Sequence, residues 1–467
     1  MKKTIVLLLF SLLAFGSLSG QEFPRGAVLD EARYNSLPQK AAQLSRGLKA
    51  LPRSASLKQY APFPGDQGQY STCTAWAAGY AARTIAESIA MERQDRTQTT
   101  NSVFSPVFIY KSINDDPACV EGTAISDALD VMKDPGIPRR NSIEQNSDFK
   151  TVQLTGYLQS PKFPIAGYVT LFNYRFGQTG NTQMKIQAVK KSLSEGKPVI
   201  IGMNTPNSFD RVRTSPWIPL ANANFDYGGH AMCVVGYDDD KFGGAFEIQN
   251  SWGTGWADDG YIWIQYNNFG LFVAEAYELI EDLSAYRDST IYSGFVEIEV
   301  YRSAVGMPVV YDPSGFYRTE NSYPSGTMFR YIMGNNTPAY VYAFSADSST
   351  AKTDRIFPPE GTNISPVLDY SENVLAWPGE NDWIKMDDTV GTDYLVVLFS
   401  KQELDIDAIR ARFTENQGSF PGRVAGAVGP NYVSLSSIQY ETSSIEFTAA
   451  MENKYSVVGL LLAIEHH

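Results

Sequence analysis

The sequence predicts two folded units: an α+β domain whose helical half and β half face each other across a cleft, followed by a mostly-β, sandwich-like domain. Three observations predict this. Apolar residues recur at helical spacing between Cys73 and about Leu193. Short β-branched or alternating runs bounded by turns begin at Pro198. Beyond Leu283 nearly every apolar run reads as a strand. A chain of 467 residues is also too long for one ordinary core.

The elements follow in order. Residues 21–50 form a short prosegment or N-terminal arm, with a helical stretch from Asp30 interrupted by Pro38. Leu51-Pro52-Arg53 opens an extended piece that reaches the turn-rich Pro62-Phe63-Pro64-Gly65-Asp66. Trp76, Tyr80, Ile85 and Ile89 mark a helix from Cys73 to about Arg93, with small residues Ala77, Ala78, Gly79, Ala81 and Ala82 allowing close packing. Further helices are expected over Ile125 to Met132 and Gln183 to Leu193, each ended by Gly and Pro. Strands are expected over Pro198 to Met203, Ala231 to Tyr237, Ala245 to Gln249 and Gly260 to Gln265. A domain boundary is expected near 284–293, which gives one domain over 51–283 and a β-rich accessory domain over 294–467. In the latter, Gly294 to Arg302, Phe329 to Met333, Ala339 to Ser345, Tyr394 to Phe399 and Tyr455 to Ile464 read as strands, and only Gln402 to Phe413 as a helix.

Composition narrows the function. Hydrophobic residues at 43% and charged residues at 19% suit a folded protein, and 13% aromatics with 27 Tyr lean toward β-structure. A formal net charge of −13 argues against a nucleic-acid partner, whose phosphates demand basic patches. Lys2-Lys3, the apolar run Ile5 to Phe15 and the small residues that follow have the layout of a cleaved signal peptide over 1–20. An exported protein is therefore expected (periplasmic, cell-surface or extracellular), with no membrane span in the mature chain. Three cysteines leave at least one thiol unpaired. Asp238-Asp239-Asp240 lacks the spacing of a calcium loop and reads as a solvated hairpin turn; no metal and no cofactor are expected.

The unpaired thiol has partners for chemistry. Cys73 lies in Gln67-Gly68-Gln69-Tyr70-Ser71-Thr72-Cys73, and His230 is the one histidine before the terminal His466-His467, which read as a disordered or tag-like end. Asn250-Ser251-Trp252-Gly253 follows. A thiol needs a base, and the base needs a third group to fix its ring. If Cys73 begins a helix, the helix dipole and a nearby imidazolium lower its pKa.

These segments, with Gly-Gly-His at 228–230 and Asp259-Gly260-Tyr261, resemble the papain-like cysteine peptidases, most of all their bacterial, secreted branch, over roughly residues 51–282. The resemblance implies a papain-like two-lobed fold, with Cys73 as nucleophile, His230 as general base and Asn250 as the residue holding the imidazole. It further implies Gln67 in the oxyanion hole, Trp252 as the indole shielding the His–Asn bond, and Gly122 as a glycine whose backbone pairs with bound peptide. The separation 230 − 73 = 157 slightly exceeds the roughly 130–150 of papain-type enzymes, and an insertion around Thr205 to Asn224 beside the cleft accounts for the excess. There are departures. Tyr70 stands where the family has a cysteine, so Cys119 loses that partner; a Cys119–Cys233 pair stays open, and the strand context of Cys233 favours two free, buried thiols. Thr74 replaces the usual tryptophan, which is expected to alter the primed side of the cleft. The C-terminal segments around Ala339 to Phe357, Trp377-Pro378 and Gly391 to Ser400 look similar to an accessory β-domain of unknown function.

The reading is an exported cysteine peptidase acting on peptide or protein substrates through a covalent acyl-enzyme, its oligomeric state open. The alternatives are a thiol acyltransferase or peptide ligase on the same residues, and a non-catalytic peptide-binding surface protein.

Overall fold

The computed structural model describes residues 23–41, 51–174, 182–220, 228–281, 291–347, 352–369, 373–450 and 456–467. The expected signal peptide lies outside them.

The first domain has two lobes. Its helical lobe is built on one long helix, 73–90, whose middle stretch Trp76–Arg83 is wound as a wide π-type turn between Cys73–Ala75 and Thr84–Ala90. Such widening is uncommon and gathers at functional sites. Gly79 lets a neighbouring helix approach, because a Cβ there would lie 2.4 Å from Ile109 Cδ1. That neighbour, Pro106–Ile113, starts with Ser105 capping the N–H of Phe108 and Pro at the first turn. Ile125–Lys133 and the short Arg96–Asn101 complete the lobe.

The β lobe is an antiparallel sheet in the order Gly167–Thr170, Val273–Ile280, Val199–Thr205, Gly228–Asp238, Ala245–Gln249, Tyr261–Gln265, with Ser54–Ser56 added against Gly228–Asp238. The four expected strands are present within two or three residues of their expected ends. Gly167–Thr170 and Val273–Ile280 are additional. Thr182–Ser194 is the expected third helix.

From Ile291 the chain forms two sheets face to face. One runs Asn373–Trp377, Met328–Asn335, Ile291–Val300, Ile445–Ala450, Ile438–Tyr440. The other runs Val309–Asp312, Phe316–Thr319, Val457–His466, Gly391–Ser400, Ala339–Asp347, Thr353–Phe357. Alternation explains the layering. Val341, Ala343, Leu395, Val397, Phe399, Val458 and Leu460 point into the core between the sheets. Tyr342, Phe344, Val396, Leu398 and Leu461 point the other way, onto the helices Ile406–Glu415 and Phe420–Val428. The second of these helices is a correction to the single one expected. A further correction concerns the terminal histidines. His466 is buried at the end of Val457–His466 with its Nε2 on the Thr389 carbonyl, and the His467 N–H donates to the Tyr323 carbonyl at 2.9 Å. His466 ends a strand, and His467 is bonded just beyond it.

The two domains touch through Val169, Ile280 and Val367, and through Lys197 Nζ and Asp369 Oδ2 at 2.9 Å. Gln39 stitches them, its N–H on the Asn363 carbonyl (2.7 Å) while the Ser365 N–H donates to its own carbonyl (2.8 Å). On either side of Gln39, the Thr170 N–H donates to the Pro38 carbonyl at 2.8 Å and the Lys40 N–H to the Thr170 carbonyl at 2.9 Å.

Candidate active site

Cys73 is fully buried at the first turn of helix 73–90, where unpaired backbone N–H groups and the positive end of the dipole favour an anion. The loop before it is fixed at both ends. The Gln67 N–H donates to the Ser251 carbonyl (2.8 Å), and the Ser71 N–H to the Cys119 carbonyl (2.9 Å). The Gln67 side chain, 1% exposed, accepts from Ser251 Oγ at 2.6 Å, which orients its amide so that Nε2 donates toward Tyr70 O at 2.7 Å and Pro24 O at 3.1 Å.

His230 and Asn250 meet because of sheet register. Strand Gly228–Asp238 pairs with Ala245–Gln249 so that Cys233 faces Gln249, which sets position 250 opposite 232 and two residues from 230, on the same face. His230 Nε2 and Asn250 Oδ1 lie 2.7 Å apart. The Trp252 ring stacks on the imidazole at 4.5 Å between centroids, excluding water from that bond. His230 Nδ1 has no hydrogen-bond partner among the described residues. The sulfur of Cys73 is close by, accepting from the N–H of Ala231, the next residue, at 3.4 Å.

The groove between these groups is filled by the protein's own N-terminal segment. Phe23 stacks on the outer face of Trp252 at 4.6 Å, and Pro24 gives its carbonyl to Gln67. The Thr123 N–H donates to the Gly26 carbonyl at 2.8 Å, and Ala27–Val28 pairs in parallel with Thr123–Ala124. Three glycines make room. A Cβ on Gly26 would lie 2.0 Å from Ser71 O, one on Gly229 2.0 Å from Ala27 O, and one on Gly122 2.8 Å from Gly26 O. Gly122 therefore stands at a peptide-pairing edge, although Thr123 makes the hydrogen bond and the peptide is residues 24–28.

Similarity to known proteins assigns this domain to a family. Residues 62–278 match the family described as papain family cysteine protease. They form a papain-family domain. An uncharacterized peptidase C1-like protein of Acanthamoeba polyphaga mimivirus is 25% identical over 218 residues, 43% of this chain and 63% of that protein. A cysteine protease of Blomia tropicalis is 22% identical over 269 residues, 56% of this chain and 77% of that one. Among solved structures, Xylellain, a cysteine protease from Xylella fastidiosa, is 22% identical with a TM-score of 0.42, covering 56% of this chain and 96% of its own. The chain thus spans less than two thirds of the first of these relatives. Virus, mite and bacterium all occur among them, so they do not single out the bacterial, secreted branch.

Within the papain-family domain, burial sets the electrostatics. Burial pushes the Cys73 thiol up to about 11, against the opposing pull of the N–H groups of Ala231, Gly26, Thr74 and Cys73 itself. Burial also presses His230 down to about 3, opposed by its bond to Asn250 and aided by the Arg25 charge. With the arm seated, thiol and imidazole are both neutral. This corrects the lowered thiol pKa expected from the helix terminus, because desolvation outweighs the dipole.

Thr74 is corrected as well: its hydroxyl meets Thr123 Oγ1 inside the helical lobe, behind the nucleophile. All three cysteines are free and buried. Asp238-Asp239-Asp240 forms the turn between Gly228–Asp238 and Ala245–Gln249, but Asp239 is held by Lys190 at 2.7 Å and Asp240 by Arg53. Among the described residues no cluster of three His, Cys, Asp or Glu side chains stands ready for a metal, and no helix is long and apolar enough to cross a membrane. Arg25 and Gly26 left only a faint mark in the sequence, a Pro-Arg-Gly-Ala run whose proline biases Phe23 toward extended backbone.

Proposed function

We propose that this protein is an exported cysteine peptidase whose N-terminal arm closes its own active site. The observation that supports it most is the convergence at one groove of a thiol, an Asn-oriented imidazole and an amide donor already holding a peptide carbonyl. Once the arm leaves, water returns to the groove and the burial that keeps the pair neutral is relieved. His230 takes the Cys73 proton, and the thiolate attacks a substrate carbonyl carbon. The oxygen of that carbonyl becomes an oxyanion, received by Gln67 Nε2 and the Cys73 N–H, donors worth about 3 kcal/mol each in such sites. The C–N bond then breaks, His230 protonates the leaving amine, and water attacks the acyl-cysteine to release the acid.

The arm is read as inhibitory rather than as substrate for two reasons. The Gly26 N–H pulls the Cys73 thiol pKa down against burial, so the arm turns the positive end of an amide toward the thiol. The chain also engages the Thr123 edge in parallel, wedged by Gly26 against Ser71. The C-terminal β-domain is proposed as an accessory module that anchors the arm through Gln39.

Labelling with an epoxide thiol probe, beside Cys73→Ala, tests the nucleophile. Equal labelling of the two proteins defeats the assignment. Turnover of a peptide library with and without added amine acceptor separates hydrolysis from the ligase alternative.

A further inference from the structure

We propose that the pocket holding Arg25, formed by Asp210, Thr205 and the Pro206 carbonyl, is a substrate subsite for an arginine or lysine side chain beside the scissile bond, on the Trp252 side of the nucleophile. This rests on the peptidase reading above and adds its substrate class.

The pocket is chemically specific. Arg25 Nε donates to Thr205 Oγ1 at 2.7 Å, and Nη2 donates to Asp210 Oδ1 at 2.7 Å and reaches Pro206 O at 3.5 Å. Thr205 Oγ1 spends its own proton on the Gly228 carbonyl at 2.8 Å, which leaves its lone pairs to accept from a guanidinium. The Asp210 side chain is 6% exposed, so its charge acts in a poorly solvated setting where a cation of fixed geometry is worth most. The absence of a side chain on Gly228 supplies the channel for the aliphatic stem, since a Cβ there would lie 2.3 Å from Arg25 Cδ.

The pocket is not built by the arm. Thr205 ends strand Val199–Thr205, and Asp210 follows the turn Asn207–Phe209. Phe209 is fully buried against Trp217, Trp252 and Trp256, at 5.3, 5.8 and 5.3 Å between centroids. That aromatic cluster fixes the backbone that presents the carboxylate. The pocket is also next to the chemistry. Gly228 and His230 are two apart on one strand and share a face, a separation of about 7 Å. Arg25 follows the residue whose carbonyl occupies the Gln67 amide, and its charge is felt at His230. A substrate side chain one residue from the reacting carbonyl therefore has this acidic pocket in reach. The arm blocks the groove partly by filling it with the side chain the pocket selects. A formal net charge of −13 favours the approach of basic peptides.

The test uses full-length Gly26→Val, in which the seat of the arm is weakened, and internally quenched peptides identical except for Arg, Lys, Gln or Glu at the first two positions after the cleaved bond. Arg and Lys are expected to raise kcat/KM at one of these positions by 10-fold or more over Gln. Asp210→Asn should abolish the difference, and Thr205→Val should narrow Arg toward Lys. A second measurement reads binding of the same peptides to Cys73→Ala/Gly26→Val. Hydrolysis at equal rates regardless of charge, or a preference unchanged in both pocket variants, overturns the subsite. Arg-dependent binding without hydrolysis by the Gly26→Val protein keeps the subsite and sinks the peptidase reading. Binding indifferent to Arg overturns the subsite whatever the activity.

Discussion

Gly26→Val tests the arm most directly, because the added atoms meet backbone and have nowhere to go. The new Cβ would lie 2.0 Å from Ser71 O and 2.3 Å from Ser71 C, where non-bonded contacts under 3.0 Å essentially never occur. Ser71 cannot yield, since its N–H is tied to the Cys119 carbonyl at 2.9 Å and Cys73 follows two residues later. The arm must move by at least about 1 Å. That stretches the Thr123 N–H to Gly26 bond from 2.8 Å to beyond bonding range and disturbs Gln67 to Pro24. Two hydrogen bonds at about 1 kcal/mol each, with roughly another 1 kcal/mol from the displaced Arg25–Asp210 pair, total ~3 kcal/mol. This corresponds to about a 10²-fold rise in the open fraction. If the thiol reacts only when the arm is out, Cys73 labelling by an epoxide probe should accelerate by about the same factor, with Cys73→Ala blank. An unchanged labelling rate in a folded Gly26→Val protein would refute the arm as the barrier.

Acidity should loosen the arm. Burial holds His230 at about 3 in the closed groove; if opening returns it toward its usual 6.5, the open protein binds the extra proton, and closure is strongest above about 6.5 and weakens as pH falls, by up to about tenfold per unit toward 3. Hydrogen exchange at Gly26 and Thr123, corrected for intrinsic rates, reads this, and the same slope in His230→Asn would contradict it. Asn250→Ala removes the 2.7 Å bond that orients the ring, and in the Gly26→Val background kcat should drop by about 10²-fold with KM little changed. Asp369→Asn removes the buried charge that faces Lys197 at 2.9 Å across the domain contact, leaving Glu278 and Glu281 to act on that cation; a loss of about 2 kcal/mol in denaturant titration is expected, and a change under about 1 kcal/mol would show the pair to be dispensable. Deleting 23–29 should open the groove at the cost of its own contacts, about 3 kcal/mol, whereas deleting 23–41 should cost about 3 kcal/mol more through the fully buried Tyr34; equal melting of the two truncations would contradict that division.

The site was readable in the sequence because Cys73, His230, Asn250 and Gln67 are reactive types in distinctive settings, and because four of the strands that carry or adjoin them alternate or run apolar between turns. What escaped has physical causes. Val273–Ile280 is buried along its whole length yet carries Glu275 and Glu278. Glu278 is neutralised by Lys40 at 2.7 Å, and Glu275 accepts from Tyr277 OH at 2.8 Å and from the Asp30 N–H at 3.1 Å. The two glutamates disguise a core strand as a polar one, and the Asp30 N–H and Lys40 that satisfy them come from distant residues. Phe420–Val428 contains Pro421, Gly422 and Gly426, which weaken a helical pattern; Ser419 capping Gly422 N–H and the packing of Phe420 and Val424 restore it. The arm's course was hidden for another reason. Its fit depends on the absence of side chains at Gly26, Gly122 and Gly229, and a missing atom leaves no periodicity to detect.

On the proposed reading, residues 23–41 act both as the prosegment and as the arm that the sequence offers as alternatives for residues 21–50. Beyond residue 29 the segment is part of the fold. Tyr34 lies under the sheet with its hydroxyl both donating to the Ala276 carbonyl and accepting from the Ala276 N–H, each at 3.1 Å. Gln39 bridges the domains, and Ala41 enters the core of the second. Residues 23–28 are held by polar contacts, one ring stack and one ion pair. Because 30–41 is anchored, the groove-filling part is always present at the high effective concentration of a short tether, so a few kcal/mol of contact suffices for closure. The same tether lets the groove open without unfolding anything else, since the hydrogen bonds and ring stack that break are confined to its walls. A self-held peptide can then be weak enough to be displaced by acid or by a basic substrate, yet close enough to return.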